Sequence, residues 1–312
     1  MKASQILIAQ DGRLRAIWRF LLSVIIFGFS RMVALLAASL APGSQAAQLT
    51  YFYTAHTLAL LGGFALLLYL LDRVRSSPLE AMGLGLESWA IRDSILGAIF
   101  GGGMVTLAVA IIGAFGDVSF NAQLRPGDTG RLALLLLVLA MAAMVEELVF
   151  RGYPFQRLLE SVGALGAIVI LSALFGLAHW NNPNANIWGV LNTILVGVMF
   201  ALAYLRTRSL WLPWGMHFGW NAMLGLALGL PVSGSTAFAV AVRGTASGPE
   251  WLTGGTYGIE AGASGTLAVV VGMLLMVKFV RPRPAPAVQL AQDAPPISIE
   301  EEPTEASPPA SN

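Results

Sequence analysis

The chain has 312 residues, of which 56% are hydrophobic and 11% charged, and its mean hydropathy is +0.71. An ordinary soluble domain carries about 25% charged residues, so this composition indicates an integral membrane protein and argues against a soluble one. The net charge of +1 gives no electrostatic reason to expect a nucleic-acid partner, and the absence of cysteine excludes disulfides, thiolate metal sites and a cysteine nucleophile.

Apolar stretches long enough to cross a bilayer, about 20 residues each, recur along the chain. They lie near 17–40, 51–71, 94–116, 132–150, 164–180, 187–205, 210–230 and 265–280. The sequence therefore predicts an all-α membrane protein with about eight transmembrane helices in a domain of residues 17–280. A short N-terminal segment, 1–16, precedes this domain. The segment 281–312, rich in proline and glutamate, is predicted to be a disordered cytoplasmic tail.

The placement of lysine and arginine predicts the orientation. Cytoplasmic loops of membrane proteins carry an excess of these residues. If the N-terminus lies inside, most of the 18 fall in cytoplasmic segments, three fall outside and Arg31 lies within the first span. Both termini are therefore predicted to be cytoplasmic, in a multi-pass protein of the cytoplasmic membrane.

Two other features concern helix packing and the loop before the last span. Glycines in the third span, such as Gly97 and Gly101, and in the seventh, Gly215 and Gly219, predict close helix packing. The loop 231–264, rich in small residues, is expected to vary freely without affecting the chemistry.

Two adjacent glutamates, Glu146 and Glu147, end the apolar run 132–145. Carboxylates at membrane depth are costly, so they indicate function. Arg151 follows Glu147 by four residues, the spacing of an ion pair on one helix face. We therefore interpret Glu147 as a structural partner of Arg151 and Glu146 as the chemically active carboxylate.

The chain has three histidines, His56, His179 and His217. His179 is followed by an asparagine-rich break, 181–186, and irregular backbone at membrane depth must line a cavity or be buried in protein. His217 and Asn221 are four residues apart and share one helix face. His56 has no such polar neighbours in the sequence and is predicted to be a packed or interfacial residue.

A helical hairpin would bring these groups together. If the fourth helix continues to about residue 160 and the chain turns at 161–163, Glu146 and His179 are equally far from the turn and lie side by side. Counting helical rise from the nearest cytoplasmic arginines places His217 in the same layer.

A carboxylate beside an imidazole can deprotonate water as a general base and later pass the proton to a leaving amine. A second imidazole and an amide can stabilise the oxyanion that forms on a peptide carbonyl. Alternatively, Glu146, His179 and His217 could hold a catalytic zinc or another divalent metal. Neither histidine pair has the H-E-x-x-H spacing, so the residues leave both mechanisms open.

The motifs Glu146-Glu147-x-x-x-Arg151, Phe175-x-x-x-His179 and His217-x-x-x-Asn221 resemble the three signature motifs of the CPBP family. This family contains CAAX-type prenyl-protein endoproteases and bacteriocin-processing enzymes, and its members are also called Abi proteins. The resemblance covers about 132–224, and the motifs stand in family order.

The resemblance implies an intramembrane endopeptidase, with an eight-helix core and a site that opens to the cytoplasm, acting on a membrane-associated peptide or lipidated protein. Glu146 would activate water with His179 as its partner. His217 and Asn221 would form the oxyanion hole, or His217 would be a metal ligand. Glu147, Arg151 and Phe175 would be supporting residues.

Two other hypotheses belong to different functional classes. The same fold could serve as a non-catalytic membrane scaffold or immunity protein. A proton-coupled transporter would also explain an intramembrane carboxylate and the broken helix at 181–186. Neither of them needs His179, His217 and Asn221 to converge on Glu146, so we favour the peptidase.

Overall fold

The computed structural model describes residues 6–9, 11–41, 43–74 and 77–284, so most of the predicted tail lies outside the described residues. The helices are α1 (Ala16–Ser39), α2 (Gln45–Leu70), α3 (Pro78–Ala81), α4 (Trp89–Phe115), α5 (Asp128–Arg151), α6 (Tyr153–Ala178), α7 (Ile187–Thr207), α8 (Trp211–Asn221), α9 (Glu250–Thr253) and α10 (Ala263–Phe279). A π-helical turn, Ala222–Ala227, extends α8, and 3₁₀ turns cover Gly255–Tyr257 and Ile259–Ala261. Strands β1 (Asp117–Ala122) and β2 (Val242–Ser247) pair antiparallel.

The predicted class, an all-α multi-pass membrane protein, is confirmed. Helices α1, α2, α4 and α7 and the stretch Asp128–Ala178 are long and apolar enough to cross a membrane. Helices α8 and α10, of 11 and 17 residues, lie where the sequence predicts the last two spans. The count of eight crossings and the cytoplasmic position of both termini stay predictions.

Two glycines shape the stretch that follows the paired glutamates. Gly152 separates α5 from α6 with a non-helical backbone, and Gly163 interrupts α6 with a φ of 74°. That left-handed conformation is readily adopted only by glycine. The second arm of α6 returns beside α5, as the predicted turn at 161–163 requires, and carries His179 back to the level of Glu146.

Close packing of α8 on α4 fixes the helix that carries His217. A β-carbon at Gly101 would overlap the carbonyl oxygen of Met216, and one at Gly219 would overlap the carbonyl oxygen of Ala98. The two backbones approach so closely because side chains are missing on both sides of the contact. The predicted role of these glycines is confirmed.

A cluster of buried charges joins α1 and α2 to the first arm of α6. Asp72, just after α2, pairs with Arg19 and accepts hydrogen bonds of 2.7 Å from Arg157 Nη1 and of 2.7 Å from the Tyr153 hydroxyl. Arg19 also pairs with Glu160. Asp72 and both arginines are almost completely buried. Each charge is thus matched by an opposite charge from another segment, which holds the three segments in register.

The loop 231–264, which the sequence analysis expects to vary freely, is packed against the helices. Strand β2 pairs with β1, and the loop side chains Val232, Leu252 and Ile259 are buried in one apolar core with residues of α4, α8 and α10. Small residues allow the loop to pack closely on the helices. The loop is therefore part of the folded membrane domain and lies against the site.

The charge cluster generates a prediction about stability. Replacing Asp72 with alanine removes the buried carboxylate that Arg19 and Arg157 share and leaves both arginines with the partly exposed Glu160, which should lower the free energy of unfolding by about 3–5 kcal/mol. Unfolding by sodium dodecyl sulfate in mixed micelles measures the change. Asp117→Ala, at an exposed position of β1, is the matched control and should change it by less than about 0.5 kcal/mol. Equal effects of the two substitutions would contradict the proposed role of the cluster.

Candidate active site

The residues that the sequence places in one layer meet around the carboxylate of Glu146. Its Oε2 atom lies 3.8 Å from Nε2 of His179 and 3.7 Å from Nε2 of His217. These separations exceed a direct hydrogen bond. The Glu146 side chain remains 32% exposed, whereas the two imidazoles are 15% and 11% exposed. Glu146 lies on α5 and His217 on α8, and His179 directly follows the last residue of α6.

Hydrogen bonds at the far ring nitrogens orient both imidazoles. His179 Nδ1 lies 2.7 Å from the carbonyl oxygen of Phe175, which can only accept, so Nδ1 carries the hydrogen. His217 Nδ1 lies 2.9 Å from Oε1 of Glu147, which also accepts from Arg151. This network assigns the hydrogen to Nδ1 there too. In their neutral forms, both rings therefore present the Nε2 lone pair to Glu146.

Three hydrogen-bond acceptors consequently face one another. Oε2 of Glu146 is buried as an atom and has no hydrogen-bond partner among the described residues. Buried acceptors normally find a donor. The separations of 3.7 and 3.8 Å suit one small molecule with two protons, such as water, between the carboxylate and an imidazole.

The metal-dependent alternative fits this arrangement less well. A zinc ion about 2.0–2.1 Å from each ligand in tetrahedral geometry would draw the three donor atoms to about 3.4 Å from one another. Across the described residues, no group of three His, Asp or Glu side chains is arranged to hold a metal ion. As they are placed, Glu146, His179 and His217 do not form a metal centre, and we derive no step through one.

Glu147 forms the predicted ion pair with Arg151, at 3.2 Å between Oε1 and Nη1. Both side chains are buried, and Arg151 also donates to the Gly197 carbonyl at 3.1 Å and lies 4.4 Å above the Phe175 ring. The contact between Glu147 and His217 was not predicted. Glu147 thus orients a site imidazole as well as neutralising Arg151, so it is more than a helix-shaping residue.

Aromatic rings pack around the imidazoles. The Phe175 ring meets His179 edge-on, with centroids 4.8 Å apart, and Phe200 stacks on His217 at 5.3 Å. Phe175 is in the predicted set, but Phe200 is not. Nothing in the pattern of α7 distinguishes Phe200 from any other apolar residue of that helix.

Two cavities meet at His179, His217 and Asn221, which line both. The larger, of 390 Å³, also contains Glu146 and lies toward α1 and α2. The smaller, of 50 Å³, lies toward α7 and α10. Asn221 is one helical turn beyond His217 on α8, as predicted, so the two side chains border the same space. His56 is packed between the rings of Phe27 and Phe52, as expected.

Glu260 is a site residue that the sequence analysis missed. It borders the smaller cavity, and its carboxylate accepts a 3.0 Å hydrogen bond from Trp220 Nε1 and another from the Ser233 amide. Burial raises the pKa of the Glu260 carboxyl above its ordinary value, although these hydrogen bonds oppose the shift. From sequence, this acid before the last span looks like any exposed loop residue, since only the folded loop carries it inward.

The fold is that of a polytopic membrane protein. Residues 128–223, which contain all three motifs, match the family model described as type II CAAX prenyl endopeptidase Rce1-like. The chain is 27% identical over 217 residues to a Bacillus subtilis protein named "Putative membrane peptidase YdiL", covering 66% of this chain and 86% of that protein. No solved structure matches the chain. These two matches support membership of the CPBP family and the general class of CAAX-type intramembrane protease.

The two adjacent glutamates should differ sharply in their effect on stability. Glu147→Ala leaves Arg151 buried without a counter-charge and should cost about 3–5 kcal/mol of unfolding free energy. Removing both charges in Glu147→Ala/Arg151→Met should recover most of the loss, because replacing a buried pair by apolar groups is often nearly neutral. Unfolding in mixed micelles measures both effects.

Glu146→Ala is the matched control. Because the Glu146 side chain borders a cavity and holds no arginine, its loss should cost less than about 1 kcal/mol. If Glu146→Ala destabilised the protein as much as Glu147→Ala, the division of roles between the two carboxylates would be wrong.

Proposed function

We propose that the protein is an endopeptidase that hydrolyses a peptide bond of a membrane-associated peptide or protein, using water activated by Glu146 and His179. The observation that carries this proposal is the convergence of Glu146 Oε2 with the Nε2 atoms of His179 and His217 in a cavity of 390 Å³. Such a cavity falls within the range of small-ligand sites and admits a short peptide segment.

Water between Glu146 and His179 would donate one hydrogen bond to the carboxylate and the other to Nε2. Its oxygen lone pair is then free to attack the peptide carbonyl carbon, while Glu146 takes the proton as a general base. In the next step the carbon–nitrogen bond breaks, and the protonated Glu146 returns the proton to the leaving amine. The Phe175 carbonyl holds the His179 ring in the orientation that this step needs.

His217 and Asn221 would stabilise the oxyanion that forms on the carbonyl oxygen. Asn221 can donate from its amide nitrogen. His217 can donate from Nε2 only as an imidazolium, and Glu147, bound at Nδ1, favours this charged form. Glu147 would support His217 in the way that a buried aspartate orients and supports the catalytic histidine of serine proteases.

The scaffold and transporter hypotheses would not require this geometry. A protein that only binds a partner needs no carboxylate facing two oriented imidazoles, and a proton-coupled carboxylate needs no adjacent oxyanion donors. We therefore propose peptide hydrolysis. Substrate identity, including whether it carries a lipid, would be established by the same assay that tests the mechanism.

The test uses purified protein in detergent with a library of lipidated and plain peptides. Glu146→Gln and His179→Ala should each reduce kcat by roughly 10²–10⁴-fold. Asn221→Ala should reduce it by roughly 10²–10³-fold. Cleavage is followed by mass spectrometry. Glu87→Gln, at an exposed loop position, is the matched control and should retain wild-type activity.

Equal cleavage by the wild type and Glu146→Gln would remove Glu146 as the base. Loss of activity with a chelator, restored by zinc or cobalt, would replace the proposed mechanism by a metal-dependent one in which the three side chains rearrange. Uptake of substrate by sealed vesicles without cleavage would favour the transporter hypothesis.

A further inference from the structure

Arg31 is a charge within α1 that the proposed mechanism leaves unused. An arginine at membrane depth is costly and normally has a partner or a water-filled cavity. The buried arginines Arg19, Arg151 and Arg157 each pair with a carboxylate. Arg31 has no carboxylate within ion-pair distance among the residues of the described ranges, and its guanidinium lies 5.8 Å from the Phe52 ring centroid.

Helical rise places Arg31 level with Glu146. Arg19 pairs with Glu160, and this contact joins the start of α1 to the first arm of α6. We call this end of the helices the base of the bundle. Arg31 follows Arg19 after about 18 Å of helix. Glu146 precedes Glu160 by about 21 Å of chain in α5 and α6, counted as helix. The two segments are antiparallel and extend to the same side of the Arg19–Glu160 contact, so Arg31 and Glu146 reach nearly the same depth.

Both side chains border the larger cavity. Its lining contains Arg31 at the α1 side and Glu146, His179, His217 and Asn221 at the other. Among the described lining residues, Arg31 is the only lysine or arginine and Glu146 the only acid. Much of the intervening wall is apolar, formed by Phe27, Phe52, Leu139, Val149 and Phe238. The cavity is therefore electrically polarised along its length.

The Arg31 side chain is exposed, and its guanidinium lies over the Phe52 ring at the edge of the larger cavity. An exposed arginine can extend along lipid toward the headgroups, but the contact with Phe52 directs this one toward the cavity that contains Glu146. The apolar walls favour an organic anion over a strongly hydrated inorganic one, because burying apolar groups beside the charge is favourable. A peptide carboxylate with apolar neighbours meets both requirements.

We propose that Arg31 binds a carboxylate of the peptide substrate and so determines which peptide bond reaches Glu146. The inference rests on the proposed function. Guanidinium and carboxylate form paired hydrogen bonds in a fixed geometry. The carboxylate is either the C-terminus of the peptide or an aspartate or glutamate side chain. In both cases its distance from the scissile bond is set by the distance between Arg31 and Glu146.

The test measures binding, so that it does not depend on turnover. Fluorescent apolar hexapeptides are prepared as C-terminal acids and as amides, each with glutamate or glutamine at successive positions. Anisotropy is measured with full-length protein carrying Glu146→Gln. One carboxylate position should tighten binding by roughly 10- to 100-fold over its neutral counterpart. The C-terminal and side-chain series identify which carboxylate is recognised.

Adding Arg31→Gln should abolish this preference by weakening the acidic peptide, and Arg31→Lys should keep part of it. Arg125→Gln, at an exposed loop arginine, should keep all of it. A preference that survives Arg31→Gln, or no preference in the parent protein, would overturn the proposal. Equal weakening of acidic and neutral peptides by both Arg31 variants would instead mark a structural role and also overturn it. A preference that depends on Arg31 in a protein that cleaves nothing would leave this inference standing and refute the proposed hydrolysis.

Discussion

The structure depends on the cost of placing charge among apolar helices, since each buried charge needs an opposite partner held in place by the fold. Asp72 meets this need for two arginines at the base of the bundle, and Glu147 meets it for Arg151 beside the site. The pairs of Asp72 join segments far apart in sequence, and Arg151, four residues after Glu147 on the same helix, reaches α7 through the Gly197 carbonyl. They therefore fix the relative positions of the helices as well as balancing charge. The positions of the helices in turn place the site residues.

Paired and unpaired charges have different consequences. Arg151, fully enclosed, brings together Glu147, the Gly197 carbonyl and the Phe175 ring, so it connects α5, α6 and α7 behind the imidazoles. Among the residues that the structure describes, Glu146 and Arg31 form no such ion pair with a carboxylate or arginine, and both border a cavity instead. An unpaired charge at membrane depth needs water or a ligand beside it, which is the reason that we propose roles in chemistry and recognition for these two side chains.

The sequence alone predicts much of this organisation because it rests on local periodicity. The apolar spans, the turn near Gly163 and the common depth of Glu146 and His179 all follow from helical rise. The contact between Glu147 and His217, 70 residues apart, does not, because helix period says nothing about which way two packed helices face. Glu260 was missed for a related reason. Its position depends on how a small-residue loop packs, and no repeat in the sequence encodes that packing.

The separation of the two adjacent glutamates follows from helix geometry. Successive residues of an α-helix point about 100° apart. Glu146 faces the cavity, so Glu147 points into the protein interior. There it pairs with Arg151 of the same helix and contacts His217 of α8. The two carboxylates thus approach the His217 imidazole from opposite ends, Glu146 at Nε2 across the cavity and Glu147 at Nδ1 in the interior. A single helix turn can position both the proposed base and the group that supports the proposed oxyanion donor.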